Sequence, residues 1–223
     1  MVQFLLLLSG ICWTIAYIEL IRAGFKDKMY GMPVFALALN ISWEGLYSYI
    51  DLKSNSANVQ TWINLAWFIL DIVIVYTYLK FGKKEFSKYA NEKYFIPWTI
   101  IIFIMSFVIQ YSFSVEFGHL GSWYSAFIQN LIMSVLFTNM LVTRMTTKGQ
   151  NLAIAISKWL GTLAPTILFG IIYRNQLLLV LGIFCSIFDI IYIFYLNTAM
   201  KTSCSHSGSS VMSNSNSMGT FKT

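Results

Sequence analysis

Charged residues are scarce in this chain, and that scarcity argues against an ordinary soluble domain. Asp, Glu, Lys and Arg together make up 11% of the 223 residues, against about 25% in a typical soluble protein. Hydrophobic residues make up 57%, and apolar runs of about 20 residues, the length that crosses a bilayer, recur along the chain. The sequence therefore predicts a polytopic protein of the lipid bilayer.

Metal-ligating and redox side chains are also few. The chain has 2 His and 3 Cys, and Cys12, Cys185 and Cys204 have neither metal-ligand nor disulfide spacing. The net charge of +6 lies in short loops and does not follow one face between exposed aromatic rings, which argues against a nucleic-acid partner. We therefore expect no metal site or disulfide at the cysteines and no nucleic-acid partner.

Seven apolar segments are each long enough to cross about 30 Å of hydrocarbon, and they predict an all-α bundle of seven transmembrane helices. The predicted spans are residues 4–21, 33–50, 62–79, 95–113, 123–142, 152–173 and 176–196. Pro165 lies inside the sixth span and predicts a kink there. Residues 1–200 thus form one predicted membrane domain. The Ser-rich composition of residues 201–223 predicts a disordered tail.

The basic residues are divided unevenly between the two ends of such a bundle. Seven spans place 12 Lys and Arg on one side and 2, Lys53 and Arg174, on the other. The positive-inside rule then predicts an N-terminus outside and a cytoplasmic C-terminus. The expected location is the plasma membrane in a bacterium and the endoplasmic reticulum membrane in a fungus. Lys158 lies inside a span, where it either pairs with an acid or extends toward the cytoplasm.

Three acids, Glu44, Asp71 and Asp189, lie deep inside predicted spans. At about 1.5 Å of rise per residue, the three share one level near the midplane to within about 5–8 Å. Acids inside a membrane are costly and usually functional. We therefore expect them to converge in a central chamber. The alternative is that each is neutral and only forms hydrogen bonds across the bundle.

Polar and aromatic side chains accompany these acids. Asn40, Trp43, Glu44 and Tyr47 share one helical face because their spacing is i, i+3, i+4, i+7. The residues expected to contact a substrate or stabilise positive charge are Asn40, Trp43, Tyr47, Trp67, Asp71 and Tyr192. Four tryptophans near span ends are instead assigned to the membrane interface: Trp13, Trp62, Trp98 and Trp123.

A carboxylic acid in an apolar pocket tends to stay neutral, because its charged form loses hydration there. It can then act as a proton donor near neutral pH, and aromatic faces nearby attract a developing cation. Such a chamber could protonate an apolar substrate and shelter a carbocation from water. A small proton-coupled transporter would use the same midplane acids, although the chain shows no internal repeat. A retinal photoreceptor is excluded, because residues 176–196 contain no lysine.

The motifs Asn40-Ile-Ser-Trp-Glu44, Gly31-Met-Pro33 and Trp13-Thr-Ile-Ala-Tyr17 resemble the membrane-bound terpene cyclases of meroterpenoid and indole-diterpene pathways. Phe188-Asp189-Ile-Ile-Tyr192 is similar to that family more weakly. The resemblance implies a seven-span enzyme that cyclises a hydrophobic prenylated substrate, starting from a protonated epoxide or alkene, with no metal or cofactor. It also implies that Glu44 and Asp189 are the residues involved in protonation.

Overall fold

The computed structural model describes the backbone of residues 1–217 and the side chains of residues 1–202. Its regular elements are seven helices: α1 (Val2–Asp27), α2 (Val34–Lys53), α3 (Val59–Phe86), α4 (Phe95–Phe117), α5 (Gly121–Arg144), α6 (Leu152–Pro165) and α7 (Gln176–Ser217). Short 3-10 turns, Glu92–Tyr94 and Gly118–Leu120, precede α4 and α5. Within this described part the chain contains no strand, so the prediction of an all-α fold is confirmed.

Five helical stretches have the length and apolar composition of a membrane span: Val2–Asp27, Val59–Phe86, Glu92–Arg144, Leu152–Ile172 and Gln176–Thr202. The stretch Glu92–Arg144 contains both α4 and α5, which the turn at Gly118–Leu120 joins. The helix that carries Glu44, α2, is not among the five. The helices coincide with the seven predicted segments, whereas a crossing by all seven stays a prediction.

The last helix does not end where the sequence predicts. α7 continues to Ser217, past the predicted end of the span at residue 196. Residues 218–223 lie outside the described part of the chain. The separate Ser-rich tail, residues 201–223, therefore stays a prediction.

Two helix starts follow local sequence signals. The Asn58 side chain accepts hydrogen bonds from the backbone N–H groups of Gln60 and Thr61, and the Thr61 hydroxyl accepts one from the Asn58 N–H. This reciprocal capping fixes the first turn of α3, because the first N–H groups of a helix have no partner inside it. The Asn151 side chain caps α6 by accepting a bond of 2.9 Å from the N–H of Ile154.

Regular α-helical bonding in the sixth segment stops at Pro165, the residue at which the sequence predicts a kink. The chain continues as a π-helical turn, Thr166–Ile172. Pro165 has no N–H to donate to the backbone oxygen four residues before it, so the helix already loses one regular hydrogen bond there. Gly182 of α7 faces this turn, and a Cβ there would lie 2.2 Å from the Cγ2 of Thr166. The glycine therefore lets α7 approach the turn closely.

The helices close a ring in the order α1, α3, α2, α5, α7 and α6, and α4 packs outside it against α2 and α5. One end of the bundle, called the basic end, carries the loops 28–33, 87–94 and 145–151. The other, called the open end, carries the loops 54–58, 118–120 and 173–175. At the basic end, Arg144 forms an ion pair of 2.5 Å with Glu85 and joins α5 to α3.

Candidate active site

A cavity of about 720 Å³ enters the bundle from the open end and reaches its middle. Polar residues surround its mouth: Asp51, Ser54, Ser56, Asn58, Gln60 and His119. The deepest wall residues are Tyr17, Asn40, Glu44, Gln129 and Asn130. Among the described residues, none from the basic-end loops lines the cavity. The cavity therefore opens toward the open end, and its inner end holds an acid.

Glu44 lies at that inner end and is 2% exposed. Its Oε1 accepts hydrogen bonds from the Tyr17 hydroxyl and, at 3.1 Å, from the amide Nδ2 of Asn40. Its Oε2 has no hydrogen-bond partner among the described protein atoms. Both donors thus contact Oε1, and Oε2 is a buried oxygen without a partner in a residue that lines the cavity.

Asn40 links Glu44 to a second carboxyl. Its Nδ2 also donates to Oδ2 of Asp71 at 2.8 Å, and its Oδ1 accepts from Nε2 of Gln129 at 3.3 Å. Gln110 in turn donates to Gln129 at 2.7 Å. Since Gln129 occupies the amide oxygen of Asn40, the amide nitrogen must face the two acids. Asp71 itself is fully buried and lies behind the cavity wall.

Eight aromatic side chains form much of the cavity wall: Trp13, Tyr17, Trp43, Tyr47, Trp67, Trp123, Phe127 and Phe169. The predicted contact residues Trp43, Tyr47 and Trp67 are among them. The assignment of Trp13 and Trp123 to the membrane interface is wrong, because both line the cavity. Trp123 lies near the end of α5 at which the cavity opens, whereas Trp13 lies well inside α1. Trp62 and Trp98 are 60% and 50% exposed, as an interface position requires.

Hydrogen bonds hold two of these rings in place. The indole N–H of Trp67 donates to the Thr14 hydroxyl at 3.0 Å, and the Trp67 ring stacks on Tyr17 with a centroid distance of 6.0 Å. The indole N–H of Trp43 donates to the backbone oxygen of Ser122 at 2.9 Å. These bonds satisfy the polar edges of both rings, so the wall near Glu44 presents fixed aromatic surface.

Asp189 lies in a second buried cluster, apart from the cavity. Its Oδ1 accepts a hydrogen bond of 2.7 Å from Nζ of Lys158, which also donates to Ser134 at 2.7 Å. Neither Asp189 nor the buried Tyr192 lines the cavity. The structure thus brings Glu44 and Asp71 together and separates Asp189 from them. Of the two alternatives for Lys158, pairing with an acid is the one observed.

The expectation of a single chamber for all three acids is therefore wrong. The position of an acid along its helix determines its depth in the membrane. The direction of its side chain depends instead on how that helix is rotated in the bundle. The sequence reasoning also gave no role to Tyr17, which contacts Glu44 directly, or to Gln110, which is connected to the acids through the amides of Gln129 and Asn40. A hydroxyl or an amide inside an apolar span is the signal that could have identified them.

Within the described residues, no group of three or more His, Cys, Asp and Glu side chains could hold a metal ion. The wall near Glu44 offers one carboxyl, a phenol and amides. That set of groups can donate hydrogen bonds and exchange a proton.

The chain matches the model of the family of Pyr4-like transmembrane terpene cyclases over residues 1–202. It is 31% identical over 178 residues to the Pyr4-family terpene cyclase mfmH of Annulohypoxylon moriforme, covering 77% of this chain and 71% of mfmH. It is 28% identical over 160 residues to the terpene cyclase pyr4 of Aspergillus fumigatus, covering 70% of this chain and 65% of pyr4. Over 170 residues it is 28% identical to the terpene cyclase adrI of Penicillium rubens, covering 75% of this chain and 68% of adrI. No solved structure matches.

Proposed function

Because the chain belongs to the family of Pyr4-like transmembrane terpene cyclases, we propose that it cyclises the prenyl chain of a hydrophobic substrate by proton transfer from Glu44. The observation that carries this proposal is that Glu44, whose Oε2 has no partner among the described residues, lines the inner end of an aromatic cavity, whereas Asp71 and Asp189 do not line it. The other contacts of this carboxyl are to the neutral donors Tyr17 and Asn40. Since no cationic side chain among the described residues contacts this carboxyl, a proton on Oε2 would neutralise its charge.

The proposed reaction begins when the Glu44 proton passes to an epoxide oxygen or to an alkene carbon of the substrate. In the first case the C–O bond breaks and its electron pair stays on oxygen as a hydroxyl. In the second, the alkene π pair forms the new C–H bond. Either event leaves a carbocation, and each ring closes when the next π pair attacks it. Loss of a proton to a base ends the sequence, so the product is an isomer of the substrate.

The aromatic wall serves the cationic intermediates in this proposal. Ring faces attract positive charge by about 0.5–2 kcal/mol each, the larger values applying without water. Trp43 and Tyr47 stand beside Glu44 on α2, and Trp67 stacks on Tyr17. Because the rings lie at successive positions, one or another of them can stabilise the positive charge as it moves along the substrate away from Glu44. Unlike water, they do not add to the cation.

The polar mouth suggests how the substrate enters. Asp51, Asn58 and His119 lie at the entrance, whereas aromatic rings line the deeper wall. A prenylated molecule would place its apolar chain inward and its polar group at the mouth. Glu44 precedes Asp51 by seven residues, which is about 10 Å along α2. The chain end that reaches Glu44 would then be protonated.

We further propose that all seven helices cross the membrane, with the N-terminus outside and the C-terminus in the cytoplasm. The uneven distribution of Lys and Arg supports this orientation. The open end would then face the non-cytoplasmic side. The relatives compared are fungal proteins, and a fungal source would place this enzyme in the endoplasmic reticulum membrane. A bacterial source would place it in the plasma membrane.

The test is to express the chain in membranes and to supply prenylated aromatic precursors, each as an epoxide and as a plain alkene. Wild-type membranes should yield a product of unchanged mass with a new retention time and new NMR signals. Glu44→Gln should lower its formation by at least about 100-fold, the typical contribution of a general acid. Glu116→Gln is the matched control, because Glu116 is exposed and lies outside the cavity wall. Glu44→Gln membranes that keep wild-type turnover would refute the assignment.

A further inference from the structure

We propose that Asp189 is a positioning residue: its carboxylate is the counter-ion of Lys158, and the pair holds the α6 side of the cavity wall in place. This inference rests on the proposed cyclisation, since it assigns a role to that cavity. It differs from the prediction that Asp189 donates a proton. The position of Asp189 outside the cavity wall is the first reason for the difference.

The ion pair is closed off from the cavity and from solvent. The side chains of Lys158 and Asp189 are 2% and 1% exposed, and Nζ and Oδ1 are 2.7 Å apart. The Ser134 hydroxyl accepts a second bond from Nζ at 2.7 Å. The cluster therefore ties α6 to both α7 and α5. Oδ1 is occupied by the lysine, and although Oδ2 has no hydrogen-bond partner among the described residues, Asp189 is not part of the cavity wall.

The pair is attached to the cavity wall through α6. Gly161, one helical turn after Lys158, packs against Trp13, and a Cβ there would lie 2.8 Å from Cδ1 of that ring. The next turns of the same segment bring Pro165 and Phe169 into the wall. A shift of α6 against α7 would therefore move Pro165 and Phe169 directly and would displace Gly161 from its contact with Trp13 of α1.

Two hydroxyl bonds within the same segment lie between the ion pair and the π-helical turn. Thr162 donates to the backbone oxygen of Lys158 at 3.1 Å, and Thr166 donates to that of Thr162 at 2.8 Å. Thr166 in turn packs against Gly182 of α7. The helices thus meet at two levels, once at the ion pair and once at the π-helical turn. The ion pair is the charged one of the two contacts.

The two roles of Asp189 predict opposite effects of removing Lys158. If Asp189 is a counter-ion, Lys158→Met leaves a buried carboxylate without its partner and is as harmful as Asp189→Asn. If Asp189 is a proton donor, Lys158→Met leaves the acid in place and turnover survives. A double variant, Lys158→Gln with Asp189→Asn, removes both charges and keeps amide groups that can hydrogen-bond to each other. It can support the structure, but it cannot donate a proton from position 189.

The experiment measures folded protein and turnover separately for these variants in membranes. Accumulation and thermal unfolding are followed by fluorescence-detected size exclusion, and product formation is expressed per folded molecule. Lys148→Met is the matched control, because Lys148 is exposed on the 145–151 loop. We expect each single variant to lose at least about tenfold in folded protein or in turnover. The double variant Lys158→Gln with Asp189→Asn, called the neutral pair, should recover both quantities to within about threefold of wild type.

The product pattern gives a readout that a purely structural role would not change. Folded single variants should release more partly cyclised products than wild type, because a displaced wall leaves the cation exposed, and the neutral pair should restore the wild-type ratio. A neutral pair that is folded but inactive would overturn the proposal, as would full turnover in Lys158→Met. Failure of the neutral pair to accumulate would also contradict it. Accumulation is measured without substrate, so these results remain distinct from a failure of the proposed cyclase function.

Discussion

Replacing Tyr17 by Phe tests whether the hydrogen bonds around Glu44 support proton transfer. The Tyr17 hydroxyl donates to Oε1 of Glu44 and accepts from Asn40, and the ring itself stacks on Trp67. Tyr17→Phe keeps the ring and removes only the hydroxyl. The bond to Oε1 matters most once Glu44 has given up its proton, because hydrogen bonds to a charged oxygen are the stronger ones.

The expected magnitude follows from that difference. A hydrogen bond to a charged group contributes about 1.5–3 kcal/mol. Its loss from the step that creates the carboxylate should lower kcat by about 10- to 150-fold. The change in KM should be small, since the deleted hydroxyl bonds to Glu44 and Asn40. A loss in kcat with little change in KM is the signature of an interaction made mainly in the transition state.

The assay is product formation against substrate concentration in membranes with matched amounts of folded enzyme. Tyr195→Phe is the control, because Tyr195 is 47% exposed on α7 and lies outside the cavity wall. It should behave as wild type. The reasoning would be refuted if Tyr17→Phe kept kcat within twofold of the control. A rise in KM with unchanged kcat would equally contradict it, by placing the hydroxyl in substrate binding.

Two further predictions concern the cavity wall. Trp123→Leu should change the product ratio or lower kcat by about threefold or more, because it removes a cation-stabilising ring face. Trp62→Leu, at an exposed position, is the control and should have no such effect. Equal effects of the two substitutions on the products would contradict the assignment of Trp123 to the cavity wall. Gly161→Ala should destabilise the protein by about 1–3 kcal/mol, because the added Cβ would lie 2.8 Å from Trp13. The control Gly10→Ala has open space around its Cβ, and equal unfolding temperatures for the two variants would show that Trp13 moves away without cost.

The sequence predicted the α2 face of the site well. Asn40, Trp43, Glu44 and Tyr47 all line the cavity, because a single helix fixes the relative directions of its own side chains. The helix positions were also predictable, since apolar runs and polar breaks mark them directly. The positions of the helices and the relative directions of side chains on one helix could thus be predicted from the sequence without a structure.

Relations between helices could not be obtained in the same way. Depth placed Asp71 and Asp189 at one level with Glu44, yet only Asp71 shares its hydrogen-bond network. Trp13 was assigned to the membrane interface, although it lies near the middle of its predicted span, residues 4–21, and lines the cavity. For Asp189 the missing quantity is the rotation of a helix about its own axis. That rotation is set by contacts such as Gly161 against Trp13, which no pattern within one span reveals.

The two buried clusters compensate their acids in different ways, and this difference separates their roles. Asp189 has the ammonium group of Lys158 at 2.7 Å. Among the described residues, no cationic side chain forms an ion pair with Glu44 or Asp71; their donors are a phenol and an amide. Away from water, an acid without a cation is compensated by a proton. The cluster that lacks a cation is therefore the one that can hold a transferable proton, and it is also the one that opens into the aromatic cavity.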